Sequence, residues 1–164
     1  MIGNDIVDLQ LASVESNWRR PKFLNKIFTG DEQDFIKQSA NPEIEIWKLW
    51  SRKEAAYKIY NRETGIRGFF PWKLACSLEE NDIARNSGVV AINAKQYYTN
   101  TEITENYIYT IAVNSILNFE KITEVHQQQK IIKINGIPFL ENYLQPLSIT
   151  NHGRFERKIT LIDS

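Results

Sequence analysis

The segment from residue 43 to residue 61 constrains the fold more than any other part of the sequence. It contains no Gly or Pro, and its apolar residues recur near the i, i+3, i+4 spacing that places side chains on one face of an α-helix. These residues are Ile46, Trp47, Trp50, Ala56, Tyr57 and Tyr60. The pattern predicts a long helix that carries an aromatic stripe.

The chain before this segment predicts one strand and two shorter helices. Residues 2–7 are rich in β-branched side chains, which is consistent with a short strand or a turn into one, and residues 9–14 have a helical pattern. Thr29 is followed three residues later by Glu32, the capping-box pattern that opens a helix. The Asn-Pro step at residues 41–42 either closes that helix or marks the next turn.

Strands are predicted after the long helix. Gly65, Gly68 and Pro71 predict a loop over residues 62–72, and the polar residues 79–87 fit a hairpin connection. The Asn-Gly step at residues 135–136 is a turn signal. The predicted strands cover residues 74–78, 89–92, 107–113, 131–134 and 159–162. Because helices come early and strands come late, the sequence predicts an α+β domain.

Length and charge narrow the class of protein. The 164 residues are enough for one domain with a sizeable core, so we expect a single domain over residues 1–164. Twenty Lys and Arg balance twenty Asp and Glu, which argues against a nucleic-acid-binding protein, because such proteins are usually basic. No apolar stretch approaches the roughly 20 residues that span a bilayer, and no secretory signal is visible. We therefore expect no membrane association and a cytoplasmic location.

The single cysteine, Cys76, excludes a disulfide within the chain. It lies in the apolar run of residues 74–78, which is a predicted strand. A cysteine in such a run is usually a small core residue rather than a nucleophile. We therefore expect Cys76 to be structural.

Glu54 and Lys58 lie four residues apart on the predicted helix, so their side chains stand on one face. The simplest interpretation is a helical ion pair, which stabilises a helix by about 0.2–0.5 kcal/mol. The pair also lies at the edge of the aromatic stripe, where it would be partly sheltered from solvent. The spacing alone leaves an ion pair and a reactive site both open.

Two acids near the N-terminus, Asp5 and Asp8, offer partners for this pair. A carboxylate on a strand and another on a helix can jointly hold Mg²⁺, which takes one or two protein carboxylates and completes its shell with water and substrate phosphates. A lysine one turn away would neutralise phosphate oxygens. The residues thus point to phosphate chemistry, although acids in the first ten residues are also ordinary surface residues.

Three segments in the first third of the chain form an ordered set of motifs. The first is G-N-D-I-V-D at residues 3–8, the second is Phe28-Thr29 with Glu32, and the third is W-S-R-K-E-A-A-Y-K at residues 50–58. They resemble G-x-D-I-V-[ED], F-[ST]-x-x-E and W-[ST]-x-K-E-[AS]-x-x-K of the 4′-phosphopantetheinyl transferases, in particular the holo-acyl-carrier-protein synthases. The resemblance implies that family's fold, as a single module with a long helix packed on an antiparallel sheet.

The resemblance also implies a reaction and roles for particular residues. In this family a serine hydroxyl of an apo acyl or peptidyl carrier protein attacks the β-phosphate of coenzyme A, and 3′,5′-adenosine bisphosphate leaves. By position, Asp5 and Glu54 match the Mg²⁺ ligands, and Lys58 matches the lysine that contacts the transferring phosphate. Glu54, or a water near it, is also a candidate base. Lys53 and His152 would contact coenzyme A phosphates.

The sequence departs from the family pattern in its C-terminal motifs, and this weakens the assignment of His152. His152 lies in S-I-T-N-H at residues 148–152, which resembles the family's S-x-S-H with one extra position, and it is equally interpreted as a loop histidine. The G-I-P step at residues 136–138 has Ile where the family has a basic residue. Val7 occupies the position at which surfactin-type members have a third acid, and synthase-type members also carry Val there. Asp8 remains a secondary candidate ligand.

A basic cluster precedes the second motif, and it consists of Arg19, Arg20, Lys22 and Lys26. Its simplest interpretation is a solvated face. The resemblance implies a second one, docking of the carrier protein, whose recognition helix is acidic in these systems. Because the chain has one Asp motif and one K-E-A helix, it matches the single-module members that assemble as homotrimers. A monomer or a dimer stays open.

Two other classes of function compete with the transferase. A non-catalytic module that binds the carrier protein or coenzyme A would be expected to have lost the metal pair, but Asp5, Glu54 and Lys58 are intact. A different Mg²⁺-dependent phosphohydrolase would need more carboxylates on one element, and the sequence has no D-x-D or E-x-x-E-E pattern.

Overall fold

The computed structural model describes residues 1–78, 86–126, 128–141 and 145–162. Within these ranges the α-helices are α1 (Leu9–Glu15), α2 (Phe23–Ile27), α3 (Gly30–Gln38) and α4 (Pro42–Thr64). The strands are β1 (Ile2–Asp8), β2 (Ala75–Leu78), β3 (Ser87–Ile92), β4 (Lys95–Ile103), β5 (Tyr107–Val113), β6 (Ile122–Glu124), β7 (Ile131–Ile134), β8 (Ile137–Leu140), β9 (Gln145–His152) and β10 (Phe155–Leu161). Along the chain, these four α-helices follow β1 and precede β2–β10. Helices and strands are thus largely segregated in the sequence, and the α+β prediction is confirmed.

The long helix α4 begins earlier and ends later than the sequence predicted. Asn41 caps its start, because its side-chain oxygen accepts a hydrogen bond from the Ile44 N–H at 3.3 Å. Pro42 occupies the first turn, where its missing N–H is not needed. The Asn-Pro step therefore opens α4. Gly65, with φ 70°, ends the helix, so residues 62–64, which were predicted as loop, are helical.

Two short-range predictions are confirmed at the ends of elements. The Thr29 N–H donates to Glu32 Oε2 at 2.7 Å and the Glu32 N–H donates to Thr29 Oγ1 at 3.3 Å, which is the reciprocal capping box of α3. Asn135 and Gly136 have φ values of 52° and 82°, as a two-residue hairpin turn requires, and they connect β7 to β8. In the predicted 79–87 connection, residues 79–85 lie outside the described residues.

The strands form two five-stranded sheets whose strand pairs are antiparallel. The first sheet has the order β1-β5-β4-β3-β2 and the second has the order β6-β10-β9-β8-β7. The long helix α4 packs on the first sheet, as predicted, and the largest core cluster lies between them and includes Ile46, Leu49, Ile59, Val90, Tyr97 and Ile108. Cys76 is also buried in this core, as predicted. No helix among the described residues is long and apolar enough to cross a membrane.

The two edges of β1 are closed in different ways. One edge pairs with β5 along its whole length, from Ile2↔Val113 to Asp8↔Tyr107. The other edge faces β9, and side chains of β9 fill the gap between the two strands. Three N–H groups of β1 donate to these side chains: Asn4 to Ser148 Oγ at 2.9 Å, Ile6 to Thr150 Oγ1 at 3.1 Å, and Asp8 to His152 Nδ1 at 2.9 Å. The two strands therefore run parallel, and the buried donors of β1 are satisfied without a backbone ladder.

Gly3 allows β1 to lie unusually close to α4. A Cβ atom at this position would overlap the backbone carbonyl oxygen of Ala55 and would lie 3.3 Å from the side chain of Ile59. Ala55 and the neighbouring Ala56 are fully buried at 0% exposure. A residue without a side chain on the strand thus faces small residues on the helix, so the two backbones come into contact.

Replacing Gly3 by Ala is expected to lower the free energy of unfolding by about 3 kcal/mol, because β1 and α4 must move apart to admit the methyl group. Urea unfolding followed by tryptophan fluorescence measures this change. Gly30→Ala is the matched control, since a Cβ at Gly30 meets open space and Ala favours the helix by up to about 1 kcal/mol. Similar effects of the two substitutions would contradict the close packing at Gly3.

Candidate active site

The contact between β1 and α4 brings together three residues that the sequence singled out. Asp5, Glu54 and Lys58 interact electrostatically with one another. Asp5 and Glu54 line one cleft of about 280 Å³, together with Trp47, Trp50 and residues of α1 and β9. The strand supplies one carboxylate and the helix supplies the other, as the sequence predicted.

Lys58 is anchored between β1 and β9. Its ammonium group donates to the backbone oxygen of Asn4 at 2.5 Å and to that of Ile149 at 3.1 Å. Burial lowers the pKa of Lys58, and the charges of Asp5 and Glu54 act in the opposite direction. Since an ammonium group has three N–H donors, one remains for a group in the neighbourhood of the two carboxylates.

The carboxylate of Asp5 is contacted by hydroxyl groups, which favour its ionised form. The Thr150 hydroxyl lies 3.4 Å from Asp5 Oδ1, and the Ser51 hydroxyl donates to the Asp5 backbone oxygen at 3.3 Å. Asp5 Oδ2 is buried and has no hydrogen-bond partner among the described residues. Burial raises the pKa of Asp5 to about 6, against the opposing charge of Lys58. A buried oxygen without a donor is the kind of atom that a cation would satisfy.

Burial also disfavours the ionised form of Glu54, as it does for Asp5. Burial raises its pKa to about 7, and the negative charge of Asp5 adds to this effect, whereas Lys58 opposes it. When both carboxylates are ionised, their negative charges lie close together in a site that is poorly hydrated, and this repulsion contributes to the raised pKa of Glu54. A dication would relieve this repulsion.

The donor set of the cleft fits Mg²⁺ better than a metal that needs many protein ligands. Among the described residues there is no group of three or more His, Cys, Asp or Glu side chains that could hold a metal ion. Mg²⁺ is commonly bound by one or two carboxylates, and water and substrate phosphates complete its coordination. Asp5 and Glu54 match that requirement.

His152 lies at the mouth of the same cleft, where β9 ends. Its Nδ1 accepts the Asp8 N–H at 2.9 Å, so the proton of the neutral imidazole is on Nε2. Nε2 lies 3.6 Å from Glu15 Oε2, and the side chain is 31% exposed. The structure therefore places His152 beside Asp5 and Glu54, with a ring N–H accessible to a ligand.

Asp8 faces away from the two cleft carboxylates and is used by the fold. It caps α1 by accepting from the Gln10 N–H at 3.1 Å, and it accepts two side-chain hydrogen bonds from Arg154, each at 2.9 Å. Hydrogen bonds from Arg154 hold the pKa of Asp8 well below its usual range. Both oxygens are engaged, so the secondary prediction of Asp8 as a metal ligand is wrong.

Lys53 is also a structural residue. Its side chain is 0% exposed and its ammonium group contacts Glu32 Oε2 at 2.7 Å, the Ile27 oxygen at 2.9 Å and the Pro71 oxygen at 2.8 Å. These contacts use all three donors. Because successive residues of a helix point about 100° apart, Lys53 faces α3 when Glu54 faces the cleft. The prediction that Lys53 contacts coenzyme A phosphates is therefore wrong.

The basic cluster lies on the surface, and its members do not line the cleft of the two carboxylates. All four members, Arg19, Arg20, Lys22 and Lys26, are exposed. The Arg19 guanidinium lies 4.1 Å from the centre of the Trp18 ring, and that of Arg20 lies 5.1 Å from the centre of the Phe23 ring. Such cation–π contacts restrain the two arginines, so the cluster presents an ordered positive surface.

The contribution of Ser148 and Thr150 to the site was not predicted from the sequence. Their motif was noted only for its histidine, and β9 was not predicted as a strand. The signal that was available is the alternation of polar residues with apolar residues at positions 147–150, the period of a strand with one polar face. The partners of these side chains lie 144 residues away in β1, which no local pattern reveals.

Known proteins resemble this chain in sequence and in fold. A holo-[acyl-carrier-protein] synthase of Caldanaerobacter subterraneus subsp. tengcongensis is 35% identical over 68 residues, which cover 42% of this chain and 51% of that protein. The match thus spans about half the length of this curated relative.

Two solved structures have a similar fold. The crystal structure of the holo-[acyl-carrier-protein] synthase of Neisseria meningitidis has a TM-score of 0.57 at 19% identity, covering 70% of this chain and 96% of that one. The synthase of Thermotoga maritima has a TM-score of 0.51 at 13% identity, covering 80% and 76%. At these identities the similarity concerns the fold.

Residues 1–112 match the family described as the 4′-phosphopantetheinyl transferase superfamily. This range contains Asp5, Glu54 and Lys58, whereas the second sheet lies outside it. The matched range exceeds half of the 164 residues, and the folds agree. The resemblance of the three motifs is thereby confirmed, and the chain belongs to the 4′-phosphopantetheinyl transferase superfamily.

Proposed function

We propose that this chain transfers the 4′-phosphopantetheine group of coenzyme A to a serine of an apo acyl or peptidyl carrier protein. The observation that carries the proposal is that Asp5 and Glu54 line one cleft, that Lys58 interacts electrostatically with both, and that all three lie in the motifs of this superfamily. In the reaction a serine oxygen forms a bond to the β-phosphorus, the bond to the oxygen bridging the two phosphates breaks, and 3′,5′-adenosine bisphosphate leaves.

Asp5 and Glu54 would hold a Mg²⁺ ion in this cleft. The ion would supply positive charge that offsets the charge developing on the leaving phosphate. The support for this assignment is the unpartnered Oδ2 of Asp5 and the raised pKa values of both carboxylates. Glu54, or a water that it holds, is also placed to accept the proton of the attacking serine.

Lys58 would orient and neutralise the transferring phosphate. Two of its N–H donors are fixed by the backbone oxygens of Asn4 and Ile149, so the direction of the third is set before the substrate binds. A donor fixed in advance loses little freedom on binding, which is why preorganised charges stabilise transition states more effectively than mobile ones.

His152 would donate a hydrogen bond to a phosphate of coenzyme A. The hydrogen bond from the Asp8 N–H to Nδ1 leaves Nε2–H as the group that faces outward. A neutral imidazole N–H is a suitable donor to a phosphate oxygen. Lys53 is buried and its donors are occupied, so His152 but not Lys53 would contact coenzyme A.

The transferase proposal predicts a mass gain on an apo carrier protein. The purified chain with coenzyme A and Mg²⁺ should add one phosphopantetheine group, read by intact-protein mass spectrometry, and EDTA should abolish the gain. Asp5→Asn and Glu54→Gln should each lower kcat/KM by about 10²–10³-fold, because each removes a charge that acts in the transition state.

Glu43→Gln is the matched control, since Glu43 lies on the same helix outside the cleft, and it should retain activity. If no carrier gains mass but coenzyme A still binds, the chain is a non-catalytic module. If neither occurs, the cleft has a different function.

We propose that the cluster of Arg19, Arg20, Lys22 and Lys26 docks the carrier protein. The acidic recognition helix expected of the carrier is complementary to this surface, and complementary charge accelerates encounter and fixes orientation. The partly buried Trp18 lies beside this cluster and would add apolar contact, whereas Phe23 is buried in the core. We also propose a homotrimer as the assembly, on the strength of the single-module motifs.

Reversing charge in this cluster should weaken carrier binding without changing the chemistry. The double variant Arg19→Glu/Arg20→Glu is expected to raise KM for the carrier about tenfold and to flatten its salt dependence, with kcat nearly unchanged. Lys133→Glu, an exposed residue on β7, is the matched control. An equal rise of KM in both variants would contradict docking at this cluster.

A further inference from the structure

Among the described side chains of β9, only Thr150 has hydrogen-bond contacts with both the backbone of β1 and the carboxylate of Asp5. Its hydroxyl oxygen accepts the Ile6 N–H at 3.1 Å and lies 3.4 Å from Asp5 Oδ1. The residue is 6% exposed, so water does not compete freely for these contacts. One hydroxyl thus connects the backbone N–H of Ile6 to the carboxylate of the preceding residue, Asp5.

The direction of these hydrogen bonds follows from the donors available. A threonine hydroxyl has one proton and two lone pairs. The Ile6 N–H can only donate, so it occupies a lone pair of Oγ1. The hydroxyl proton is then free to point to Asp5 Oδ1, which can only accept when it is ionised. The contact therefore has a fixed sense, from Thr150 to Asp5.

The two oxygens of Asp5 differ as a result. Oδ1 has the Thr150 hydroxyl as a donor, and Oδ2 has no hydrogen-bond partner among the described residues although it is buried. A carboxylate that is tethered at one oxygen has its rotation about χ2 restricted. The untethered oxygen is then presented in one direction.

We propose that Thr150 is a positioning residue for the cation, which orients Asp5 so that Oδ2 is directed to the ion. This inference rests on the proposed metal site of Asp5 and Glu54 and adds a residue outside the range 1–112 that the family matches. Residues that orient a metal ligand through a hydrogen bond typically change metal affinity 10–100-fold when they are replaced.

Ser148 provides a matched control for the structural part of this role. Its hydroxyl accepts the Asn4 N–H at 2.9 Å, just as Thr150 accepts the Ile6 N–H, and it is also buried, at 0% exposure. Among the described contacts, Ser148 has none with Asp5. Loss of either hydroxyl should therefore destabilise the β1–β9 contact similarly, and only loss of the Thr150 hydroxyl should affect the cation.

The test is the dissociation constant of Mn²⁺, read from the electron paramagnetic resonance signal of the free ion, with and without coenzyme A. Thr150→Val should raise the constant about 10–100-fold. Thr150→Ser, which keeps the hydroxyl, should stay near wild type, and Ser148→Ala should do the same. Urea unfolding of each variant confirms that it is folded and that the two hydroxyl deletions have comparable stabilities.

Asp5→Asn separates failure of this inference from failure of the proposed site. If Asp5→Asn loses Mn²⁺ but Thr150→Val binds as wild type does, or if Ser148→Ala weakens binding as much as Thr150→Val, the role of Thr150 is overturned and the metal site stands. If wild type binds no Mn²⁺ under either condition, or Asp5→Asn binds it equally well, the proposed metal site itself fails.

Discussion

The close approach of β1 to α4 is the constraint on which the candidate site depends. Gly3 permits it, because any side chain there would collide with the backbone of Ala55. The contact sets Asp5 beside Glu54 and Lys58, which lie on the helix face that meets the strand. Tight packing also removes water, so both carboxylates become harder to ionise. The same contact that stabilises the fold therefore creates a local electrostatic cost.

The side chains that satisfy the backbone groups between β1 and β9 also belong to the candidate site. A buried strand edge needs hydrogen-bond partners, and here side chains meet that need in place of a backbone ladder. Lys58 bridges backbone oxygens of the two strands, and Thr150 and His152 accept N–H groups of β1. Each of these side chains is therefore fixed by the fold and also acts at the site, because His152 lines the cleft, Lys58 interacts with both carboxylates and Thr150 contacts Asp5. A site built this way is preorganised, because its groups cannot move without breaking the contact between the sheets.

Local patterns predicted three of the helices and six of the strands, but not α2, β4, β6, β8 or β9. Long-range contacts decided which residues act together. The period of α4 and the capping box of Thr29 and Glu32 are properties of short segments, so the sequence predicted both. The resemblance to a known family indicated Asp5 and Glu54, which share no local pattern. It misplaced Lys53, whose direction depends on a buried acid of α3. The strand β9 escaped prediction because Ser, Thr and Asn favour turns in isolation, and its role depends on a strand at the other end of the chain.

The most direct test of this account is the unfolding free energy of the metal-free protein as a function of pH, compared between wild type and Glu54→Gln. The pKa of Glu54 lies near 7 in the folded state, above its ordinary value of 4.5. The folded state thus retains a proton that the unfolded state has released, and stability is lost as the pH rises through this window. We predict that Glu54→Gln is more stable than wild type by about 2–3 kcal/mol at pH 8, that the difference disappears towards pH 4.5, and that Mg²⁺ stabilises only wild type. Parallel pH profiles of the two proteins would contradict the claim that packing of β1 on α4 holds two carboxylates in one buried site.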